Sequence, residues 1–497
     1  MINRFIRNFL NGQHIICKVQ QIQTVRVVFL HHCNKNVCPA AVLSCGACMA
    51  SSSSSSNRPS NRSKLLDAYR NKRAANLQLT DLGKDAVAFA QDPLGSRFIE
   101  QKLERANPTE KAQPQINMAT TLQENVPTLV TDKYGTFVIE HVIEHGLPED
   151  RERIVRSLQG DIMKYSQDKF GCLVILKCFV CGTADQKKAL FDNVCVGGPK
   201  TLQNARQLMA DEFGTHVIRK FFECGTDDQK AQLVDALRGH VLELALQIYG
   251  GPVIQTALKS VDKASQIEII EELTPRSCVI RCIKDQYGSH VMDTIFELVE
   301  PERLQFVVDA ILSSPSDSVA SLSLHECGYR VIQRMLEHCT EQQKRPVLEQ
   351  LLDNVPTLVT DQYGSFVIER VIEHGLPEDR ERIVRTLQGD ILKTHYKSIC
   401  SIIEKCLIFG TTEQKNALID QLCADDGTGK TPLLQMMKQQ FANDVVVRMV
   451  DGADSAHRDK MMFAIEEHIP ALLKRQQLLA KRAGGAVVDK RKKPNNG

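Results

Sequence analysis

The stretch TFVIEHVIEHGLPEDRERIVR, Thr136 to Arg156, returns 229 residues later as SFVIERVIEHGLPEDRERIVR, Ser365 to Arg385. Around it, Asn125 to Ile162 and Asn354 to Ile391 pair over 38 positions and differ at four: Lys133/Gln362, Thr136/Ser365, His141/Arg370 and Ser157/Thr386. The segment defines a structural unit. Val126 to Asp132 reads as a short helix and Tyr134-Gly135 as a turn. Thr136 to His145 reads as a second helix closed by Gly146, where glycine accepts the left-handed conformation. Pro148 suits the first turn of a third helix ending near Gly160. Thr183-x-x-Gln186, Thr226-x-x-Gln229 and Thr411-x-x-Gln414 each follow a glycine and read as capping boxes opening equivalent third helices.

The residue just before the second helix marks the phase of the unit. It falls at Gly95, Gly135, Gly171, Gly214, Gly250, Gly288, Gly328, Gly364, Ile399 and Ala442, with gaps of 35 to 43 residues. A helical repeat of that period predicts an all-α chain, an α-solenoid of about ten three-helix units from residue 63 onward.

At 497 residues and 42% hydrophobic content the chain has ample material for such an array, and no apolar run reaches the length of a membrane span. Its 17 cysteines lack regular pairing distances and fit reduced intracellular thiols. The net charge of +2 hides a partition: residues 1–66 hold eight Lys/Arg and no acid, and residues 474–497 hold eight Lys/Arg against one Asp. With +8 and +7 at the ends, residues 67–473 carry about −13.

Residues 1–62, with Ser51 to Ser56, read as a disordered or low-complexity leader. Two other readings of this leader are an organelle transit peptide and a zinc site built from Cys33, Cys38, Cys45 and Cys48. Residues 476–497 form a basic tail, in which Lys490-Arg491-Lys492-Lys493 resembles an import signal or a phosphate-binding arm as much as a solubilising end.

In the helix from Thr136, Val138, Ile139, Val142 and Ile143 share one side at 100° per residue, and Thr136, Phe137 and Glu140 share the other. Residues i and i+4 stack on a helix, so Thr136 and Glu140 would reach one flat polar edge while Phe137 stacks beside it. The frame recurs at Ser96-Arg97-x-x-Glu100, Ser289-His290-x-x-Asp293 and Ser365-Phe366-x-x-Glu369. One hydrogen-bonding pair and one stacking residue per repeat is the logic of a modular single-stranded RNA reader.

Gln91 to Glu100, Tyr329-Arg330-Val331-Ile332-Gln333 and Asp361 to Glu369 resemble repeats of the Pumilio/PUF family, and Ser63 to Leu66 with Asn76 to Leu79 resembles that family's entry into its first repeat. The resemblance covers residues 63–475. It implies a crescent-shaped solenoid that binds single-stranded RNA, usually in mRNA 3′ untranslated regions, and represses translation or promotes decay. It also implies a cytoplasmic monomer, with nuclear residence a further option, that docks repressor or deadenylase proteins on its convex face and needs no cofactor, metal or membrane.

In the family the first and fifth motif positions read a base edge and the second stacks. Carried over, this gives Ser96/Arg97/Glu100, Thr136/Phe137/Glu140, Cys172/Leu173/Leu176, Thr215/His216/Arg219 and Gly251/Pro252/Gln255 in the first half. The second half gives Ser289/His290/Asp293, Tyr329/Arg330/Gln333, Ser365/Phe366/Glu369, Cys400/Ser401/Glu404 and Asn443/Asp444/Val447.

The chain departs from the family in two ways. Only Ser96/Glu100 and Ser365/Glu369 carry the family's guanine combination, Cys400/Glu404 approaches it, and no unit has the uracil pair of Asn and Gln. Ten units also exceed the usual eight, and the second and third read as an inserted copy of the eighth and ninth. A nuclear factor in ribosomal-RNA processing and a protein-binding scaffold with a decayed RNA face are the competing readings. An enzyme is disfavoured: Gly427-Thr428-Gly429-Lys430-Thr431 lacks the earlier glycine of a phosphate loop and reads as a connection before the last unit.

Overall fold

A computed structural model describes residues 63–74, 76–105, 121–122, 124–195, 199–314, 316–387, 396–424, 431–437 and 443–466. The leader with its cysteines, the basic tail and the glycine-rich stretch 425–430 lie outside the described residues. Among these residues there is no strand, no helix long and apolar enough to cross a membrane, and no cluster of His, Cys, Asp and Glu fit for a metal ion.

The described residues fall into two compact bodies, one within Ala50–Ala310 and one within Ile311–Gly497. In the first, the second helices are Pro93–Arg105, Gly135–His145, Gly171–Cys181, Gly214–Cys224, Gly250–Ser260 and Gly288–Leu298. In the second they are Gly328–His338, Gly364–His374, Tyr396–Phe409 and Asn443–Gly452. Within each body every second helix packs on the next, and third helices such as Pro148–Gln159, Ala184–Cys195 and Asp227–Leu237 form a parallel row. The apolar stripe read from the sequence is the buried one: Val138, Ile139 and Ile143 are fully enclosed, each such side chain contributing about 1.5–3 kcal/mol by leaving water.

Seven second helices begin at their marker glycine. The reason is close approach: a Cβ at Gly135 would lie 2.7 Å from the carbonyl oxygen of Leu129, in the preceding short helix. That short helix is Val126–Leu129, three residues shorter than the sequence suggests. An aspartate three residues before the glycine caps the second helix. Asp361 Oδ1 accepts from the Tyr363 and Gly364 amides at 2.8 and 2.9 Å, and Asp92, Asp132, Asp168, Asp211 and Asp285 do the same in their repeats. Asp361→Ala is expected to cost about 1 kcal/mol in chemical denaturation, and Asp361→Asn much less.

The capping boxes at Thr183, Thr226 and Thr411 form, and a fourth forms at Thr340 with Gln343. One helix end is corrected. Gly146 has φ −74° and ψ −179°, extended and not left-handed. Other residues hold this extended cap in other units, Cys339 at φ −74° and Val261 at φ −90°, so the place does not demand glycine.

The duplicated units fold alike. Arg151 Nε donates to the Ile143 carbonyl and Arg380 Nε to that of Ile372, both at 2.7 Å, fastening third helix to second. Arg458 Nε does the same to Val450 at 3.0 Å, which marks the helices Pro432–Met437 and Asn443–Gly452 as parts of a tenth unit of the same construction. The copying extends into the following units: the Glu144–Lys177 ion pair is matched by Glu373–Lys405.

Candidate nucleic-acid interface

The proposed triplets occupy one repeated environment. The first motif position is buried at Ser96, Thr136, Cys172, Thr215, Gly251, Ser289, Ser365 and Cys400. The second is exposed at Arg97, Phe137, Leu173, His216, His290, Arg330 and Phe366. The fifth is half-buried at Glu100, Glu140, Leu176, Arg219, Gln255, Asp293, Gln333, Glu369, Glu404 and Val447. Phe137 and Phe366, at 45% and 46% exposure, are large apolar rings left in solvent on otherwise well-packed helices. Pro252 and Ser401 are only half-exposed, and the side chains of Asn443 and Asp444 lie outside the described residues.

Thr136 and Glu140, which the sequence places on one polar side of the helix, differ in burial. Thr136 is 1% exposed, and its hydroxyl donates to the carbonyls of Val130 and Asp132 at 3.0 and 2.8 Å. The cause is local, because the glycine that draws the helix against the short helix also encloses the residue after it. Ser289 and Ser365 donate likewise to Gln286 and Gln362, and Thr215 reaches the Tyr249 carbonyl of the next repeat at 2.9 Å. Burial pushes the Cys400 thiol up to about 12 and that of Cys172 to about 11, so both are neutral at pH 7.

Tyr329 departs furthest. Expected as an edge reader, it instead stacks on Tyr363 with ring centroids 5.2 Å apart and an interplanar angle of 23°, and leans on Phe366 at 5.9 Å. Arg330 lies over the Tyr329 ring at 5.8 Å. The result is an aromatic platform with a guanidinium on it and one exposed ring, Phe366. Elsewhere His216 presents a neutral ring, since burial first and the Arg219 charge second push its pKa below the ordinary value.

Glu140 is an incompletely compensated carboxylate. Burial raises its pKa, only partly offset by Lys177, and its Oε1 is buried without a hydrogen-bond partner. A raised folded-state pKa means the folded protein binds the proton more tightly than the unfolded chain, so this group's penalty is present at neutral pH and fades as pH falls through the raised pKa. Glu140→Gln is therefore expected to leave stability at pH 7 equal or higher, with the difference vanishing in mild acid, as read by denaturation midpoints at the two pH values.

The model of the Pumilio-family RNA binding repeat matches residues 85–113, 125–158, 161–195, 204–238, 240–274, 278–312, 318–352, 354–387 and 400–423. The chain belongs to the Pumilio family.

It is 36% identical over 129 residues to Pumilio homolog 1 of Xenopus laevis, a match covering 26% of this chain and 10% of that protein. It is 25% identical over 234 residues to a Pumilio domain-containing protein of Schizosaccharomyces pombe, covering 47% and 33%. The chain thus spans between a tenth and a third of these relatives. Among solved structures it resembles PUF-8 in complex with PBE-RNA, at 30% identity and TM-score 0.53, covering 85% of this chain and 99% of that one. It also resembles the Puf3 RNA binding domain bound to a Cox17 RNA 3′ UTR recognition sequence, at 29% identity and TM-score 0.56, covering 66% and 95%.

Nine Pumilio repeats are matched, and the tenth unit stands on its helices alone. Two features escaped the sequence reading: the capping aspartates, signalled by Asp-x-x-Gly ahead of six second helices of this chain, and Tyr363, whose place before Gly364 gave no sign of stacking across repeats.

Proposed function

We propose that this Pumilio-family protein binds single-stranded RNA through the faces carrying the triplets, acts on mRNA 3′ untranslated regions in the cytoplasm, and represses translation or promotes decay. The observation that carries this reading is the buried, exposed, half-buried triplet repeated along successive second helices. Such an arrangement offers a stacking surface and a polar edge in six of the ten units, the chemistry that unstacked bases need. The solved relatives named above are bound to RNA, in one case a 3′ UTR sequence. Repressor or deadenylase proteins would be its effectors, and the protein would act as a monomer.

Its preference differs from the UGUA-type element associated with the family. No unit offers Asn with Gln, Leu176 and Val447 have no polar atom for a base edge, and Gly251 leaves Gln255 without a first-position partner. The acidic body limits phosphate neutralisation, so stacking at Arg97, Phe137, His216, His290, Arg330 and Phe366 carries much of the affinity. Crosslinking the protein to cellular RNA and sequencing the bound fragments tests the assignment. Enrichment of mRNA 3′ ends is expected, and predominance of ribosomal precursor RNA would favour the processing role.

A further inference from the structure

In four units the half-buried fifth position is tied to the repeat that follows. Arg219 Nε donates to Thr256 Oγ1 at 3.0 Å, and Gln333 Nε2 donates to the Phe366 carbonyl at 3.0 Å. Ser401 Oγ donates to Glu369 Oε1 at 2.5 Å, and Glu404 pairs with Arg448 at 2.7 Å. Much of the polar edge is thus satisfied by the protein itself.

Glu140 differs, although its own repeat is almost a copy of the one holding Glu369. Its Oε1 is buried with no hydrogen-bond partner. Of the four substitutions between the copies, His141/Arg370 changes a charge near this carboxylate, but His141 bonds the Phe137 carbonyl and Arg370 pairs with Glu337 and Glu373, so neither hydrogen-bonds it. The difference comes from the next repeat, where the second motif position is Leu173 after one copy and Ser401 after the other. A leucine has no atom to donate; a serine does.

We propose that this downstream residue gates the carboxylate before it: Leu173 supplies no donor, so Glu140 is left to be satisfied by a ligand's N–H edge, and Ser401 closes Glu369 by occupying it. The inference rests on the RNA-binding reading above. It makes the inserted second repeat a point of base discrimination and its near-twin, the eighth, a repeat that stacks but selects weakly. The ligand that fits an unsatisfied carboxylate is a base whose exposed edge carries adjacent N–H donors, as guanine's Watson–Crick edge does. A base presenting acceptors there would meet an uncompensated negative charge in a half-buried site, which rejects it more strongly than a mere lost contact would. Ser401 and Leu173 are then positioning residues, acting on the base through their neighbour.

The test uses the full chain and an RNA that the wild type enriches from a randomised single-stranded pool, together with derivatives changed one base at a time. Glu140→Gln is expected to flatten the preference at one RNA position by about tenfold, and Glu369→Gln to change no position by more than about threefold. In a Ser401→Ala background, Glu369→Gln should become costly at a second position. Leu173→Ser should reduce the guanine-to-adenine ratio at the first position; loss of its apolar surface alone would weaken all bases alike. Glu369→Gln costing as much as Glu140→Gln in the presence of Ser401, or Leu173→Ser and Ser401→Ala leaving every base ratio unchanged, would overturn the gating. A pool that yields no enriched RNA with folded protein would instead overturn the RNA-binding reading, and the gating with it.

Discussion

Replacing Phe366 and Arg330 together by alanine is expected to weaken single-stranded RNA binding by at least about thirtyfold while leaving the protein folded. Phe366 is 46% exposed and leans on Tyr329, which in turn stacks on Tyr363 and carries Arg330. An aromatic or guanidinium surface under one base contributes about 1–3 kcal/mol, so two residues at the lower end give about 2 kcal/mol. Neither side chain is part of the buried core, so folding should be little affected. The loss should fall on all sequences, because every base has a face to stack. Undiminished affinity in the double variant, measured at fixed salt, would remove the platform from the interface.

Gly364→Ala is expected to destabilise its repeat by about 2–3 kcal/mol, opposite in sign to the usual effect. Within a helix, alanine is normally the better residue by about 1 kcal/mol. Here the added Cβ would stand 2.7 Å from the Leu358 carbonyl oxygen and 2.9 Å from its Cα, and neither main-chain atom has a rotamer to escape into. The duplication supplies an internal control, since a Cβ at Gly135 meets Leu129 at 2.7 and 3.0 Å. Gly135→Ala should therefore cost about the same. Solenoids unfold by neighbouring repeats, so the informative readout is hydrogen exchange in Val355–Leu358 and Gly364–His374. Unchanged protection there would mean that the glycine is kept for some reason other than close approach.

The periodic parts of this structure were legible in the sequence because each rests on a local rule. Glycine spacing located the second helices, and Thr-x-x-Gln located caps whose both hydrogen bonds lie within four residues. Less legible was anything settled between chain segments. The hydroxyls of Thr136 and Ser365 lie on the polar side of a helical wheel, yet the preceding short helix and turn enclose them. Gly146 carries the residue type of a left-handed cap, yet its backbone is extended like that of Cys339 and Val261 at the same place. Glu140 and Glu369 sit in nearly identical sequences, and what separates them lies in the next repeat at Leu173 and Ser401. Tyr329 has an edge reader's place in the motif, but the ring of Tyr363 makes it part of a platform.

The measurement closest to the central claim is selection from a randomised single-stranded RNA pool at physiological salt, followed by equilibrium binding of the winners. The account predicts an enriched RNA that binds in a salt-sensitive manner, has a guanine at one or more discriminated positions and lacks a UGUA-type element. A UGUA-type element as the top ligand would contradict the reading of the triplets. Failure of the folded protein to retain any RNA would contradict the function itself.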